Sequence, residues 1–142
     1  MQNLIIRNEM NEKEKEYISE RLMEYNLRIA PPNQDYISKN VNLALKGENS
    51  KLFGGLIGKI YRECLFIDIL WVDENKRGLG YGKKLLIEAE KNAKEDLCIF
   101  VHLDTFNFQA PDFYIKNGYE IYGVLDLYSN DIKRFYLKKE LY

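Results

Sequence analysis

The sequence predicts an α/β (α+β) fold, one domain over residues 1–142, with a mixed and mostly antiparallel sheet of six or seven strands flanked by about four helices. Three observations predict it. Three neighbouring apolar runs separated by turn residues read as an antiparallel meander. A glycine loop, an amphipathic helix and a further apolar run have the length of a right-handed strand-helix-strand crossover, which makes its two strands parallel neighbours at the centre of the sheet. Finally, 142 residues with 46% hydrophobic and 30% charged side chains suffice for one core.

The elements follow in order. Leu4-Ile5-Ile6 is a short strand candidate. Asn11 can cap a helix with Glu14 at its third position, and Ile18, Leu22, Tyr25 and Ile29 then recur at helical spacing opposite a charged face. Pro31-Pro32-Asn33 ends that helix, and the stretch to Asn40 is a loop or a second short helix. Val41–Lys46, Leu52–Tyr61 and Leu65–Val72 form the meander. The third strand is apolar on both faces except for Asp68, as a central strand covered on both sides should be. Leu85, Leu86, Ala89 and Ala93 mark the buried face of a helix from about Gly82 to Lys94, and Leu97–Leu103 is the second central strand. Pro111 opens a short helix over Ala110–Lys116, Asn117-Gly118 stops it, and Tyr119–Leu125 with Lys133–Leu137 close the sheet as a hairpin.

Composition excludes several function classes. With 21 Lys+Arg against 22 Asp+Glu there is no broad basic face for a nucleic-acid coat. No apolar run approaches the roughly 20 residues of a membrane helix, and the first fifteen residues lack a secretory hydrophobic stretch, so a soluble, cytoplasmic protein is expected. Cys64 and Cys98 sit in apolar runs and read as buried free thiols. His102 is the only histidine, and no metal site is expected. It reads, like Cys98, as a packed core residue rather than a catalytic one.

Charge concentrates at Lys76-Arg77-Gly78-Leu79-Gly80-Tyr81-Gly82-Lys83-Lys84, between a central strand and a helix. Glycines let backbone N–H groups approach a ligand, and a helix start adds unpaired donors and partial positive charge, so a phosphate or pyrophosphate is the natural guest. A Walker loop is excluded because Lys84 stands where its Ser or Thr should be. The spacing Gly78-x-Gly80-x-Gly82 also departs from the dinucleotide fingerprint. The alternative is a plain tight turn.

Arg77-x-x-Gly80-x-Gly82 after Leu70-Trp71-Val72 resembles the coenzyme A pyrophosphate loop of the GNAT superfamily of acyl-CoA N-acyltransferases. Asn107-x-x-Ala110-x-x-Phe113-Tyr114-x-Lys116-x-Gly118-Tyr119 is similar to a second motif of that family, with Tyr119 in place of the usual Phe. The resemblance implies a GNAT fold whose two parallel central strands splay around the cofactor, with acetyl-CoA as co-substrate. It implies that Leu70, Trp71 and Val72 line the pantetheine arm, that Arg77, Gly78, Leu79, Gly80, Tyr81, Gly82 and Lys83 hold the pyrophosphate, and that Asn107 and Tyr114 face the pantetheine and thioester.

Transfer from a thioester to an amine needs a base, a polarised carbonyl and a proton for the leaving thiolate. Asp68, four residues before Val72 and hence on the same strand face, is the first candidate base; a buried carboxylate bonded to backbone, Lys or Tyr is the alternative, and Asp104 or a water relay the reserve. Tyr114 matches the family's general acid, with core packing beside Phe113 as the alternative. A backbone N–H around Leu70 to Val72 is the candidate carbonyl donor. Trp71 reads as core or as a wall of the wedge.

The activity so implied is N-acetyl transfer to a primary amine of a small molecule or peptide, without nucleic-acid or membrane partners and with a homodimer left open. Its rivals are a non-catalytic acyl-CoA-binding or sensor module and a structural adaptor. The acceptor pocket is expected from the first helix, the Pro31–Asn40 segment and the loop near Leu127–Asp131, with Tyr25, Tyr36 and Tyr128 as candidate aromatic walls for a cation.

Overall fold

The computed structural model describes residues 2–32 and 38–142. The chain divides into two units, residues 1–36 and 37–142. In the first, α1 (Glu12–Ile29) carries the expected capping box: the Asn11 side chain accepts from the Glu14 N–H, and the Glu14 carboxylate accepts from the Asn11 N–H. Leu4–Ile6 forms no strand. Three apolar residues alone have no neighbouring strand to satisfy their backbone groups, and a strand is stable only through such pairing. The alternative of a second short helix before Asn40 falls mostly on residues 33–37, outside those described.

The second unit is a six-stranded sheet with two further α-helices. Its elements are β1 (Lys39–Lys46), β2 (Leu52–Tyr61), β3 (Cys64–Val72), α2 (Tyr81–Glu95), β4 (Phe100–Phe106), α3 (Pro111–Lys116), β5 (Glu120–Leu125) and β6 (Arg134–Glu140). Among the described residues there are thus three α-helices rather than four, with single 3-10 turns at Glu48–Ser50 and Glu74–Lys76. The strand order is β1-β2-β3-β4-β6-β5, antiparallel throughout except for the parallel β3–β4 pair. The second central strand lies three residues later than its apolar run begins. Leu97 is left-handed (φ 63°), and the Cys98 N–H is still bonded to the Ala93 carbonyl at the helix end.

Leu56, Ile60, Leu65, Leu86, Val101, Leu103 and Leu137 are almost fully buried and tie α2 to the sheet. Cys98 is buried and Cys64 half-buried; burial pushes both thiols up, Cys98 to about 11, so both stay protonated. His102 packs against Phe66 and Phe100 with ring centroids at 5.0 and 5.6 Å, and burial lowers its pKa. Among the described residues no helix is long and apolar enough to cross a membrane.

Candidate active site

Two features of β3 open the site. Its ladder with β4 runs from Cys64↔Phe100 to Ile67↔Leu103 and ends there. At the same point the register with β2 slips: Ile57 faces Ile69 and Gly58 faces Ile67, so Asp68 is the extra residue of a β-bulge. A bulge bends and twists its strand, and here β3 parts from β4 at the bulge. The expected splay of the two parallel strands is therefore present, and it begins at Asp68.

The bulge also changes which side chains share a face. Leu65 and Ile67 are buried before it, whereas Leu70 and Val72 are the more enclosed residues after it, with Ile69 and Trp71 exposed on the other face. Counting four residues back from Val72 therefore crosses a break in the alternation, and the face expected for Asp68 does not follow from spacing. Asp68 is exposed, and among the described residues it is not the buried structural carboxylate of the alternative reading. Trp71 is 47% exposed on the face opposite Leu70 and Val72, so it does not belong to the core.

Leu70 and Val72 line a cavity of about 470 Å³ together with Arg77, Gly78, Gly80, Tyr81, Gly82 and Lys83 of the loop and Ala110, Phe113 and Tyr114 of the second motif. Two motifs thirty residues apart thus meet on one hollow, of a size that suits a small-molecule ligand. Gly78 and Gly80 have φ of 76° and 87°, a backbone region that side chains rarely enter. Gly80 is the cap of α2 and offers no side chain to it, and the first helical bond runs from the Lys84 N–H to the Gly80 carbonyl. The N–H groups of Tyr81, Gly82 and Lys83 therefore have no intrahelical acceptor. They stand beside the cavity with the partial positive charge of the helix end, a ready anion site. Arg77 is steadied by a bond from its Nε to the Val72 carbonyl at 2.9 Å. At Gly82 a Cβ would come within 3.3 Å of the Phe113 ring, so the smallest residue allows α3 to close over the loop.

Tyr114 is 8% exposed, and burial pushes its hydroxyl up to about 12. Its ring meets Phe113 and Tyr119 edge-on at 5.1 and 5.8 Å. Beneath it lies a group the sequence reading did not single out: the Tyr119 hydroxyl donates to Glu90 at 2.7 Å, and Lys139 bonds the other Glu90 oxygen at 3.0 Å. Burial, then the bond and charge of Glu90, raise the Tyr119 pKa. Its only sequence signal was a charged residue standing on the apolar stripe of α2, four after Leu86 and three before Ala93.

Asp104 lies within β4, held by Arg134 at 2.8 Å, and is thereby less available as a base. Asn107 borders the open end of β4, but its carboxamide is bonded to the β5–β6 connection: Nδ2 donates to the Asp131 carbonyl at 2.9 Å, and Oδ1 accepts from the Lys133 N–H at 3.1 Å. Leu79 is 62% exposed at the tip of the loop. Of the candidate acceptor aromatics, Tyr25 lies in the first unit, Tyr36 falls outside the described residues, and Tyr128 lies in the second unit beside Phe106.

Residues 6–119 match the family model described as the acetyltransferase (GNAT) family. The chain belongs to this family. Within it, the chain is 41% identical over 96 residues to a blasticidin-S acetyltransferase from Streptomyces morookaense, covering 67% of this chain and 71% of that protein. It is also similar to the crystal structure of an acetyltransferase from Bacillus cereus, with a TM-score of 0.86, 39% identity and coverage of 96% and 97% of the two chains. A candidate streptothricin acetyltransferase from Bacillus anthracis, solved in complex with acetyl coenzyme A, superposes with a TM-score of 0.59 and 28% identity over 65% of this chain and 57% of that one. The GNAT resemblance read from the two motifs is therefore established, and so is the mixed sheet with one parallel pair that it implies.

Proposed function

We propose that the chain is an N-acetyltransferase that moves the acetyl group of acetyl-CoA directly to a primary amine of a small molecule, its 142 residues acting as one catalytic domain. The observation that carries this reading is the single cavity in which the glycine loop, Leu70 and Val72 of β3, and Tyr114 of α3 converge. The family match, which runs from residue 6 to residue 119 and so spans both units, supports the single domain. The relative named for blasticidin S and the acetyl coenzyme A complex of a structural neighbour support the acceptor class and the donor.

In this reading Arg77, Lys83 and the N–H groups from Gly78 to Lys83 hold the pyrophosphate. The free edge of β3 at Leu70, Trp71 and Val72 pairs with the amides of the pantetheine arm, as an added strand would. The amine nitrogen attacks the thioester carbonyl carbon while a backbone N–H of that edge polarises the carbonyl oxygen. Asp68, exposed and at the point where β3 leaves β4, takes the proton from the amine, directly or through water. The C–S bond then breaks, and the Tyr114 hydroxyl gives its proton to the departing sulfur. The phenol carries the proton this step needs across the physiological range, and burial, by raising its pKa, makes it the weaker donor, so its contribution rests on position at the cavity.

The test is thiol release from acetyl-CoA across a panel of amines that includes blasticidin S, streptothricin, polyamines, amino acids and a lysine peptide. Saturable release that depends on a small-molecule amine is expected. Tight acetyl-CoA binding with no release for any amine would overturn the enzyme reading in favour of a sensor.

A further inference from the structure

We propose that Asn107 is a positioning residue that pins the β5–β6 loop, residues 126–133, to the open end of β4, and that this loop with Phe106 and Phe108 reads an amine carried on a flat ring. The proposal rests on the acetyl-transfer reading for what the loop recognises, but the pinning stands on its own geometry. Besides the two carboxamide bonds to Asp131 and Lys133, the Asn107 N–H donates to the Lys133 carbonyl at 2.9 Å. An Asn serves here because it alone among small side chains offers a donor and an acceptor in one plane, and the loop presents a carbonyl and an N–H two residues apart.

The pin has work to perform. Asn130 and Asp131 are both left-handed, with φ of 62° and 58°, a conformation that Asn and Asp enter more readily than other side chains, so two of them in succession set the turn that the pin holds in place. A second tie acts on the same loop. Arg134 bonds Asp104 through Nε and Nη2, at 3.0 and 2.8 Å. Its guanidinium lies over the Phe106 and Tyr136 rings, 5.8 and 5.4 Å from their centroids. The loop is thus fastened at residues 131 and 133, and at Arg134 where β6 begins, to residues 104–107 of the strand end that β3 has left.

What this arrangement exposes is aromatic. Phe106 and Phe108 stack in parallel, with centroids 5.3 Å apart and planes 5° off, and Tyr128 meets Phe106 edge-on at 5.5 Å. Phe108 is 66% exposed. A further flat ring continues such a stack, and an attached cation gains from the π-faces. Asp104 is already paired with Arg134, so of the two candidate bases Asp68 is the one exposed to a charged amine.

The experiment compares Asn107→Ala, Asn107→Asp, Arg134→Met and the double variant Asn107→Ala/Arg134→Met with the parent chain. It measures the acetyl-CoA dissociation constant by calorimetry, acceptor KM and kcat with whichever amine the panel identifies, and hydrogen exchange of the Lys133 amide. In the single variants acetyl-CoA affinity should change less than about twofold, acceptor KM should rise roughly tenfold with kcat within about threefold, and Lys133 exchange should quicken. Asn107→Asp, which keeps the acceptor but loses the donor, should fall between parent and alanine. The double variant should raise KM by less than the product of the single effects, because both ties hold one loop. A weakened acetyl-CoA affinity with unchanged acceptor KM in Asn107→Ala would overturn the proposal and return Asn107 to the cofactor. Unchanged exchange at Lys133 would overturn the pinning outright, even if no amine were acetylated and the transferase reading had failed separately. Equal KM effects on flat-ring and aliphatic amines would overturn the ring preference.

Discussion

Residues Cys64–Ile67 of β3 are paired on both edges, with β2 and with β4, whereas Ile69–Val72 are paired with β2 but not with β4, and Asp68 is the bulged residue between them. The two halves have similar apolar composition, yet one belongs to the core and the other forms the wall of a cavity. The difference is made by one surplus residue. A bulge at Asp68 turns the strand away from its parallel neighbour, so the backbone groups that the first half spends on the sheet remain open in the second. A strand can serve stability and binding at once if a local irregularity separates the two duties.

That contrast can be broken at chosen points. The largest effect belongs to the open side: Tyr114→Phe should lower kcat by roughly 10²- to 10⁴-fold, the range for one proton-transfer group, with acetyl-CoA affinity nearly intact. Single-turnover thiol release measures it, and an unchanged rate would remove Tyr114 from the chemistry. On the paired side, Leu65→Ala empties a fully buried position and should cost about 2–5 kcal/mol of folding stability, read by urea denaturation. A loss well under that would mean that the paired half is not the anchor of the sheet.

At the loop, Gly80→Val forces a branched side chain into a left-handed backbone, a cost of about 1–2 kcal/mol or more. Nothing lies within 4 Å of where its Cβ would sit, so the penalty is conformational and not a clash. Coenzyme A affinity should fall at least about tenfold while circular dichroism stays native. Wild-type affinity would show that the loop's shape does not matter for binding.

The smallest effect is on pH dependence. Burial raises Tyr114 from 10.0 to about 12 and raises Tyr119 as well, so above pH 10 the unfolded chain loses these protons first. Stability should therefore be indifferent to these groups below pH 10 and decline as pH rises toward 12. Denaturant midpoints across that window measure the slope, and Tyr114→Phe should make it shallower.

Much of this was legible in the residues. Asn11 and Glu14 announced their helix, because a capping box is made within four residues. The loop from Arg77 to Gly82 and the helix after it were readable for the same reason: glycine conformations and helix ends are local properties. Leu4–Ile6 misled because an apolar triplet is a strand only if a partner strand exists. The helix reading also passed over Glu90, whose carboxylate is stabilised by Tyr119 and Lys139, residues 29 and 49 positions away.

By itself the sequence determined the order of elements, the crossover that makes β3 and β4 parallel, the cationic loop suited to a polyanion, and the family. These depend on spacings of a few residues or on motifs read in order. Only the tertiary structure decided where β3 leaves β4, that Asp68 is the residue of departure, and that Asn107 gives its side chain to the β5–β6 loop. An alternation pattern in a strand apolar on both faces cannot reveal a slip of one position. Nor can any local pattern name hydrogen-bond partners that folding brings from 24 and 26 residues away.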